Sequence, residues 1–364
     1  MASMTKEHEA EQQERIRTTP AQAIPGRAGV ARAHANVALV KYWGKRDERL
    51  RIPWASSISM TLDGYWTTTR FTALADPSCR TFLLDGAPAP KAAADRAAHA
   101  INILRERYGL PANGENSGYF LESWNHVPVS SGFASSASGF AALAGAFADA
   151  SGLKDIGHRE LSRLARLGSG SASRSIDGGF VEWYAGTDDE TSYAEPLDEH
   201  PGVDLRMMSV MISDARKEIA STEGMCRSAR SPYFSVWVGQ CEDACRRMRE
   251  AVAENDIEAI GSIAEDNARQ MHAMTLCAGF TYFTPGTLAV TRLVEQLRAD
   301  GLECFWTCDA GANPKILVDA SNENQVAAAI AERFPQARCE SSGFGPGIAI
   351  GHHQNREERK EDDA

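Results

Sequence analysis

A run of small residues at positions 128–139 leads into an apolar helical pattern that continues to Ala150. The first N–H groups of a helix have no partner within it, and the helix dipole places partial positive charge there. An anion, above all a phosphate, therefore suits this end of the helix. No G-K-[ST] sequence closes the run, so it is not a Walker loop. The alternative is a core helix whose serines satisfy backbone donors; the hydroxyls in question belong to Ser135, Ser136 and Ser138.

A second run of small residues, Gly168–Ser175, contains a single charged residue, Arg174. Backbone N–H groups and hydroxyls in such a run can surround phosphate oxygens while an arginine supplies a two-pronged donor. The alternative is a flexible surface loop. We favour the anion site because the planar guanidinium fork matches the geometry of phosphate.

Other candidate functional residues lie at the ends of predicted strands. Lys41 and Tyr42 follow a strand at 37–40, where the lysine is either a surface cation or an anion ligand and the tyrosine offers a second donor. Asp309 lies between a strand at 302–308 and a glycine-containing turn. An aspartate there often bonds only the turn backbone, but beside a polyphosphate it can act as a general base or position a reacting hydroxyl.

Hydrophobic periodicity predicts the elements that position these residues. In the first half, strands are expected at 57–62, 67–74, 81–84, 119–124 and 178–183, and helices at 91–108 and 159–167. In the second half, a strand at 205–212 precedes a polar, loop-like segment at 214–225. Helices are then expected at 240–254, 257–272, 286–300 and 325–334, with strands at 302–308 and 316–319. The helix–strand–strand–helix–strand order near the end predicts an α+β, split-βαβ arrangement.

Length and composition allow a large core. The chain has 364 residues and 43% hydrophobic content, which suits one large domain or two. The expected division is a disordered tail at 1–26, an N-terminal domain at 27–203, a C-terminal domain at 204–354 and a charged tail at 355–364.

Charge and cysteine content restrict the possible partners and compartment. The net charge of −11 argues against non-specific binding to nucleic acid or acidic membranes, and it requires the basic groups of an anion site to be gathered locally. Eight cysteines without C-x-x-C pairs favour free thiols in a reducing compartment. No apolar run approaches the roughly 20 residues needed to cross a bilayer, and the N-terminus lacks the apolar region of a signal peptide. We therefore expect a soluble cytoplasmic protein.

Six motifs occur in an order that resembles the diphosphomevalonate decarboxylases of the GHMP kinase superfamily. The resemblance covers the chain from about Ala31 to Gly351 and spans both expected domains. It implies a two-domain α+β, GHMP kinase-like fold. The N-terminal α/β domain would carry a phosphate-binding loop, and the C-terminal domain would be a ferredoxin-like split-βαβ unit. The motifs are Lys41-Tyr-Trp-Gly-Lys45, the loop at 128–139, Gly168–Ser175, Ser221–Met225, Met271–Ala273 and Asp309–Gly311.

The resemblance also implies an activity, in isoprenoid biosynthesis by the mevalonate pathway. Members of the family phosphorylate the C3 hydroxyl of mevalonate 5-diphosphate and release isopentenyl diphosphate, ADP, phosphate and carbon dioxide, with ATP and Mg²⁺ as cofactors. A homodimer is also implied. By the same resemblance Asp309 orients and deprotonates the hydroxyl, Lys41 steadies the transferring group, and Arg174 holds the substrate carboxylate. The other implied contacts are Asn36, Tyr42, Ser169, Ser171 and Ser221 for substrate, Gly132, Ala134, Ser135, Ser136 and Ser138 for ATP, and Ser135 for the metal.

This sequence departs from the family's usual motifs at four places. Two of them are the serine loop, with V-S-S-G-F at 129–133 in place of T-A-A-G-L, and Ile219-Ala-Ser221 in place of V-S-S. The others are His272-Ala-Met274 in place of H-A-T, and a D-A-G-A-N sequence at 309–313 in place of D-A-G-P-N. These changes are either neutral, accommodated by repacking, or signs of another substrate, such as mevalonate 5-phosphate or an unrelated 3-hydroxy acid.

Functions of other classes remain to be distinguished. A small-molecule kinase of the same superfamily would keep the serine loop and Asp309 but release no carbon dioxide. A non-catalytic binding protein would bind nucleotide without turnover, which the intact set of Lys41, Arg174 and Asp309 argues against. A serine hydrolase is disfavoured because the chain has no G-x-S-x-G sequence.

Overall fold

The computed structural model describes residues 24–126, 135–153, 155–213, 215 and 217–351. The helices in this part are α1 (Lys91–Arg107), α2 (Ser135–Ala150), α3 (His158–Gly168), α4 (Ser221–Ser228), α5 (Phe234–Glu254), α6 (Ile257–Cys277), α7 (Pro285–Ala299) and α8 (Glu323–Arg333). The strands are β1 (Ala28–Val40), β2 (Lys45–Asp47), β3 (Ile52–Pro53), β4 (Ser57–Leu74), β5 (Arg80–Leu84), β6 (Ala87–Pro88), β7 (Gly118–His126), β8 (Phe180–Trp183), β9 (Ala194–Asp198), β10 (Leu205–Met211), β11 (Cys304–Thr307), β12 (Lys315–Asp319), β13 (Arg338–Ser342) and β14 (Ala349–Ile350).

The first sheet is built on the long antiparallel pair β1 and β4. Its strands run in the order β14-β1-β4-β7-β5-β6, and β8 pairs with both β4 and β9. Helix α2 packs closely on β1 because both carry small residues. A Cβ atom added at Gly145 would lie 2.8 Å from the Cβ of Ala31. This packing places the first turn of α2 beside the sheet that also carries Lys41 at the end of β1.

Strand β4 is continuous, although the sequence predicted two strands separated near Asp63-Gly64. The turn-like residues there are held in the extended strand by the distant segment 342–344. Asp63 accepts hydrogen bonds from the Ser342 hydroxyl and the Gly343 N–H, both at 2.8 Å. Local sequence does not contain this tertiary contact, which is why the prediction divided the strand.

The second sheet has the order β11-β12-β10-β13, with every neighbouring pair antiparallel. This is the strand order of a ferredoxin-like split-βαβ unit, so the arrangement predicted for the second half is confirmed. Strand β13 was not predicted, because R-C-E-S-S lacks an apolar alternation. Strand β14 lies inside the segment expected to form the second domain, yet it pairs with β1 in the first sheet. The expected domain boundary between residues 203 and 204 therefore does not separate the two sheets at β14.

Helix boundaries differ most in the segment expected to be a loop. Helix α4 begins at Ser221, so the loop expected at 214–225 is wrong beyond residue 220. The loop was expected because the segment is polar, and local polarity does not reveal that a Cβ atom at Gly224 would collide with the Tyr282 hydroxyl, so that close packing requires the glycine. The predicted helices at 91–108, 159–167, 286–300 and 325–334 are confirmed to within two residues at each end.

All eight cysteines have free thiols, as the sequence predicted. Within the part of the chain that the structure describes, no helix is both long and apolar enough to span a bilayer. Most of the expected tails, residues 1–23 of the first and all of the second, lie outside the described residues, as do Gly132 and Ala134.

Candidate active site

Lys41 and Asp309 come from different sheets and are in direct contact. Lys41 directly follows β1, and its Nζ donates to Asp309 Oδ1 at 2.8 Å and to the Ala38 carbonyl at 2.7 Å. Its backbone N–H donates to Asn267 Oδ1 of helix α6 at 2.7 Å. Asp309 stands two residues after β11, and its side chain is 36% exposed, so it is partly accessible to a ligand. The structure therefore brings the predicted base and the predicted lysine together.

A second lysine, Lys315, holds the other oxygen of the same carboxylate. Its Nζ lies 3.0 Å from Asp309 Oδ2, and its side chain is buried at the start of β12. Burial alone would raise the pKa of Asp309, but Lys315 and Lys41 together hold that pKa well below its ordinary value. Sequence reasoning missed Lys315. A lysine within the apolar strand Lys315-Ile-Leu-Val318 was the available signal, since a buried lysine needs an anionic partner.

Side-chain hydrogen bonds anchor the turn that presents Asp309. Asn313 Oδ1 accepts from the N–H groups of Ile212 and Ser213, both at 3.0 Å, and its Nδ2 donates to the Ser213 carbonyl at 2.9 Å. The Thr287 hydroxyl donates to the Ala312 carbonyl at 2.6 Å. The replacement of the family's proline by Ala312 therefore leaves the turn anchored.

His272 supports the same turn from helix α6. Its Nε2 lies 3.3 Å from the carbonyl oxygen of Cys308, the residue before Asp309. Burial lowers the pKa of His272 to about 4, so the ring is neutral near pH 7 and donates from Nε2. Met274, two residues later, is buried in the core cluster that contains Trp43 and Tyr282. The Met274 side chain packs in the core, which favours the interpretation that the change from the family's H-A-T motif is neutral.

Arg174 is buried in the 3₁₀ helix Gly170–Ser175 and makes two polar contacts through its guanidinium. Nη1 donates to the Ser57 hydroxyl at 2.6 Å and Nη2 to Asn36 Oδ1 at 3.2 Å, while Nε has no partner among the described residues. The guanidinium lies 5.8 Å above the Trp183 ring. Burial lowers the pKa of Arg174 to about 10, and the group stays charged at neutral pH.

The segment 168–175 is packed against the first sheet and is not a flexible surface loop. Asn36 Nδ2 donates to the Ser171 carbonyl at 3.0 Å. The Tyr42 hydroxyl lies against Gly170, where an added Cβ would be only 2.7 Å away. That hydroxyl is buried and has no hydrogen-bond partner among the described residues. The half-buried Ser169 and Ser171 hydroxyls lie 3.4 Å apart.

Helix α2 brings the serine-rich run to the same place. The Ser136 hydroxyl lies 3.5 Å from that of Ser169. Ser138 is fully buried, and its hydroxyl lies 2.8 Å from that of Thr67, so it faces the sheet and only its backbone can meet a ligand. The Ser135 side chain lies outside the described part of the chain.

A cleft with about 600 Å³ of empty space, open solvent included, lies beside the first turn of α2. Its wall is mainly apolar, with a few polar groups at the edges, as in sites that take planar ligands. The lining side chains include Phe82, Leu84, Leu121, Phe140 and Leu143, with Thr67, Arg96, Ser123, Asn125 and Ser136 as polar groups.

Ser221 is connected to the Asp309 turn through a further lysine that sequence reasoning missed. Lys217 Nζ donates to the Ser221 hydroxyl at 3.0 Å and to the Ala310 carbonyl at 3.3 Å. Burial lowers the pKa of Lys217, and the charge of Asp309 opposes this shift. In a polar loop between two sheets, no spacing distinguished this lysine from a solvated one.

Four cations thus surround one carboxylate in a chain of net charge −11. Lys41 and Lys315 contact Asp309, and its charge opposes the lowering of the pKa that burial causes at Lys217 and Arg174. This is the local concentration of basic groups that an anionic ligand requires. The charges suit an anionic ligand placed beside a carboxylate.

Two family models match consecutive parts of the chain. The diphosphomevalonate decarboxylase-like N-terminal domain matches residues 33–194. The mevalonate 5-diphosphate decarboxylase C-terminal domain matches residues 207–362.

Relatives and solved structures agree with these matches. A phosphomevalonate decarboxylase of Haloferax volcanii is 31% identical and aligns over 83% of this chain and 91% of its own. A crystal structure of mevalonate diphosphate decarboxylase from Staphylococcus aureus has a TM-score of 0.85 and 38% identity, over 90% of this chain and 98% of that one. A solved complex of MDDEF with MVAPP, AMPPCP and magnesium has a TM-score of 0.84 and 39% identity, over 89% and 99%. The chain belongs to the diphosphomevalonate decarboxylase family, with its two-domain GHMP kinase-like fold.

Proposed function

We propose that the chain catalyses the ATP-dependent decarboxylation of mevalonate 5-diphosphate to isopentenyl diphosphate, in isoprenoid biosynthesis by the mevalonate pathway. The observation that carries this proposal is the partly exposed Asp309 side chain, whose carboxylate is held by Lys41 and Lys315. A base and a set of cations at one point suit phosphoryl transfer to a hydroxyl. Family membership and the MVAPP and AMPPCP in the related complex support the same assignment.

In the first step Asp309 accepts the proton of the C3 hydroxyl. ATP supplies the phosphoryl group that turns this hydroxyl into a leaving group. With both lysines on its carboxylate, Asp309 is a weak base, because its pKa is held low. We propose that Lys41 turns from Asp309 Oδ1 to the phosphoryl oxygens, which frees that oxygen for the hydroxyl and stabilises the transferring charge.

In the second step the C3–O bond breaks and phosphate leaves. The bond between C2 and the carboxylate carbon then breaks, its electron pair forms the C2–C3 double bond, and carbon dioxide departs. Arg174 is proposed to hold the carboxylate with Asn36, since its buried Nε–H, which none of the described residues accepts from, and its charge remain available for an anion. Buried donors without partners are rare in proteins, and a bound oxygen would satisfy this one.

We propose that the substrate diphosphate binds in a cup formed by the side chains of Tyr42, Ser169 and Ser171. Ser221 is proposed to contact the substrate from helix α4. The Tyr42 hydroxyl is a donor without a hydrogen-bond partner in the described part of the chain, and the two serine hydroxyls beside it are half-buried. Three hydroxyls of this kind suit phosphate oxygens.

The described residues fit a nucleotide at the first turn of α2. The helix has 16 residues, so its dipole is well developed, and the mainly apolar cleft beside Ser136 can take a purine base. We propose that Gly132, Ala134, Ser135, Ser136 and the Ser138 backbone hold the phosphates. Mg²⁺ in such sites is held mainly by phosphate oxygens and water, so one protein ligand, proposed as Ser135, is sufficient.

The second candidate function is the decarboxylation of a substrate with one phosphate. It is supported by the similarity to the phosphomevalonate decarboxylase of Haloferax volcanii. We would follow ADP and carbon dioxide in parallel for mevalonate, its 5-phosphate and its 5-diphosphate, with ATP and Mg²⁺. We expect one carbon dioxide per ADP with the 5-diphosphate, at a kcat/KM well above that with the 5-phosphate. The same ratio with the 5-phosphate alone would identify the second candidate, and ADP without carbon dioxide would identify a kinase.

We propose further that the enzyme is a cytoplasmic homodimer. The eight free cysteines support a reducing compartment. The dimer follows from the family resemblance, and sedimentation at micromolar concentration would test it.

A further inference from the structure

Arg51 lies at the rim of the cup proposed for the substrate diphosphate. It stands in the turn between β2 and β3, and its Nε donates to the Leu167 carbonyl at 2.8 Å. Leu167 is two residues before Ser169, whose hydroxyl forms part of the cup. The bond uses one donor of the guanidinium, so the remaining donors are available for a ligand.

The charge of Arg51 is not neutralised by an ion pair with any carboxylate of the described residues, whereas two nearby cations, Lys45 and Arg166, each have such a pair. Lys45 Nζ lies 2.7 Å from Glu48 Oε2, and Arg166, which donates to the Leu50 carbonyl, is paired with Asp189. In an acidic chain, an unpaired, half-buried arginine beside hydroxyl groups is a natural anion contact.

The electrostatic effect of Arg51 reaches the cup itself. Burial raises the pKa of the Tyr42 hydroxyl, and Arg51 opposes this shift more than any other charged side chain around it. Arg51 also has a backbone φ of 54°, in the left-handed region that disfavours residues with a Cβ. Glycine would relieve that strain but would remove the side chain, and retained strain of this kind is typical of functional positions.

We propose that Arg51 binds the terminal phosphate of the substrate and so selects a 5-diphosphate over a 5-monophosphate. The inference rests on the proposed function, because it assumes that Asp309 and Arg174 hold the other end of the substrate. A monophosphate fixed at that end would reach the hydroxyl cup, whereas the second phosphate would extend to the guanidinium at its rim.

The test compares kcat/KM for the 5-diphosphate and the 5-phosphate in Arg51→Gln, Arg51→Lys and a matched control, Arg49→Gln. Glutamine keeps a donor for the Leu167 carbonyl but removes the charge, while Arg49 is exposed two residues away. We expect Arg51→Gln to raise KM for the 5-diphosphate by about 10- to 100-fold, the usual effect of losing a charged hydrogen bond, and to change the 5-phosphate value less than twofold. Arg51→Lys should retain part of the preference for the 5-diphosphate over the 5-phosphate, and Arg49→Gln should retain all of it.

Equal losses with both substrates, or no loss, would overturn the role of Arg51. Calorimetric binding of inorganic pyrophosphate provides a second readout that does not depend on turnover. If the wild type releases no carbon dioxide, the proposed function fails. The Arg51 contact would then stand only if Arg51→Gln weakens pyrophosphate binding at least tenfold and Arg49→Gln does not, and unchanged or absent pyrophosphate binding would refute it.

Discussion

Replacing Asp309 with asparagine is expected to lower kcat by about 10²- to 10⁴-fold, the usual contribution of a general base. The amide has nearly the same shape but cannot accept the proton of a hydroxyl. The change leaves the proposed nucleotide cleft intact, because Asp309 lies on the turn after β11 and the cleft is lined from the first sheet, α1 and α2. Single-turnover ADP formation and binding of a fluorescent ATP analogue would measure the two effects separately.

The control for this variant concerns the two lysines that lose their counter-ion. Lys41 and Lys315 are both buried, so an amide between them should lower the midpoint of thermal unfolding. The double variant Asp309→Asn/Lys315→Met removes one unpaired charge and should recover part of that stability without recovering turnover. A single variant that keeps most of the wild-type kcat would show that Asp309 is not the base.

Replacing Arg174 with lysine is expected to raise KM for the substrate by at least about tenfold with little change in nucleotide affinity. Lysine keeps the positive charge but cannot make both of the contacts that Nη1 and Nη2 make with Ser57 and Asn36. The carboxylate would therefore be held less firmly in the position that decarboxylation requires. Initial rates with substrate and ATP varied independently would separate the two affinities.

Arg105→Lys is the matched control for that variant. Arg105 is also buried, but it donates to the carbonyls of Pro111, Asn116 and Gly118 near the end of α1. We expect it to lose stability and to keep the wild-type KM. An unchanged substrate KM in Arg174→Lys, or an equal rise in both variants, would contradict the assignment of Arg174.

Residues that carry their chemistry locally could be predicted from the sequence. The arginine in Gly168–Ser175 indicated an anion contact, and the structure places it beside Asn36 and close enough to Asp309 for that charge to affect it. The split-βαβ order of the second half followed from hydrophobic periodicity, which depends on which face of each element is buried. The roles given to the site residues remain predictions.

Features that depend on tertiary contacts were not accessible in the same way. Lys315 becomes part of the site only because β12 lies beside the turn that carries Asp309, and Lys217 only because its loop reaches the Ala310 carbonyl. The continuity of β4 depends on Ser342, which is distant in sequence. Helix α4 contains Gly224, which close packing requires. Glycine has a low intrinsic helix propensity, so local sequence does not favour a helix there.

The most direct test of the account follows the oxygen of the C3 hydroxyl. Mevalonate 5-diphosphate carrying ¹⁸O in that hydroxyl would be converted with unlabelled ATP, and the released phosphate analysed by mass spectrometry. If decarboxylation proceeds by phosphorylation of the hydroxyl and loss of phosphate, each phosphate carries one ¹⁸O atom. Unlabelled phosphate formed together with carbon dioxide would mean that ATP is hydrolysed by water, and the proposed mechanism would be wrong.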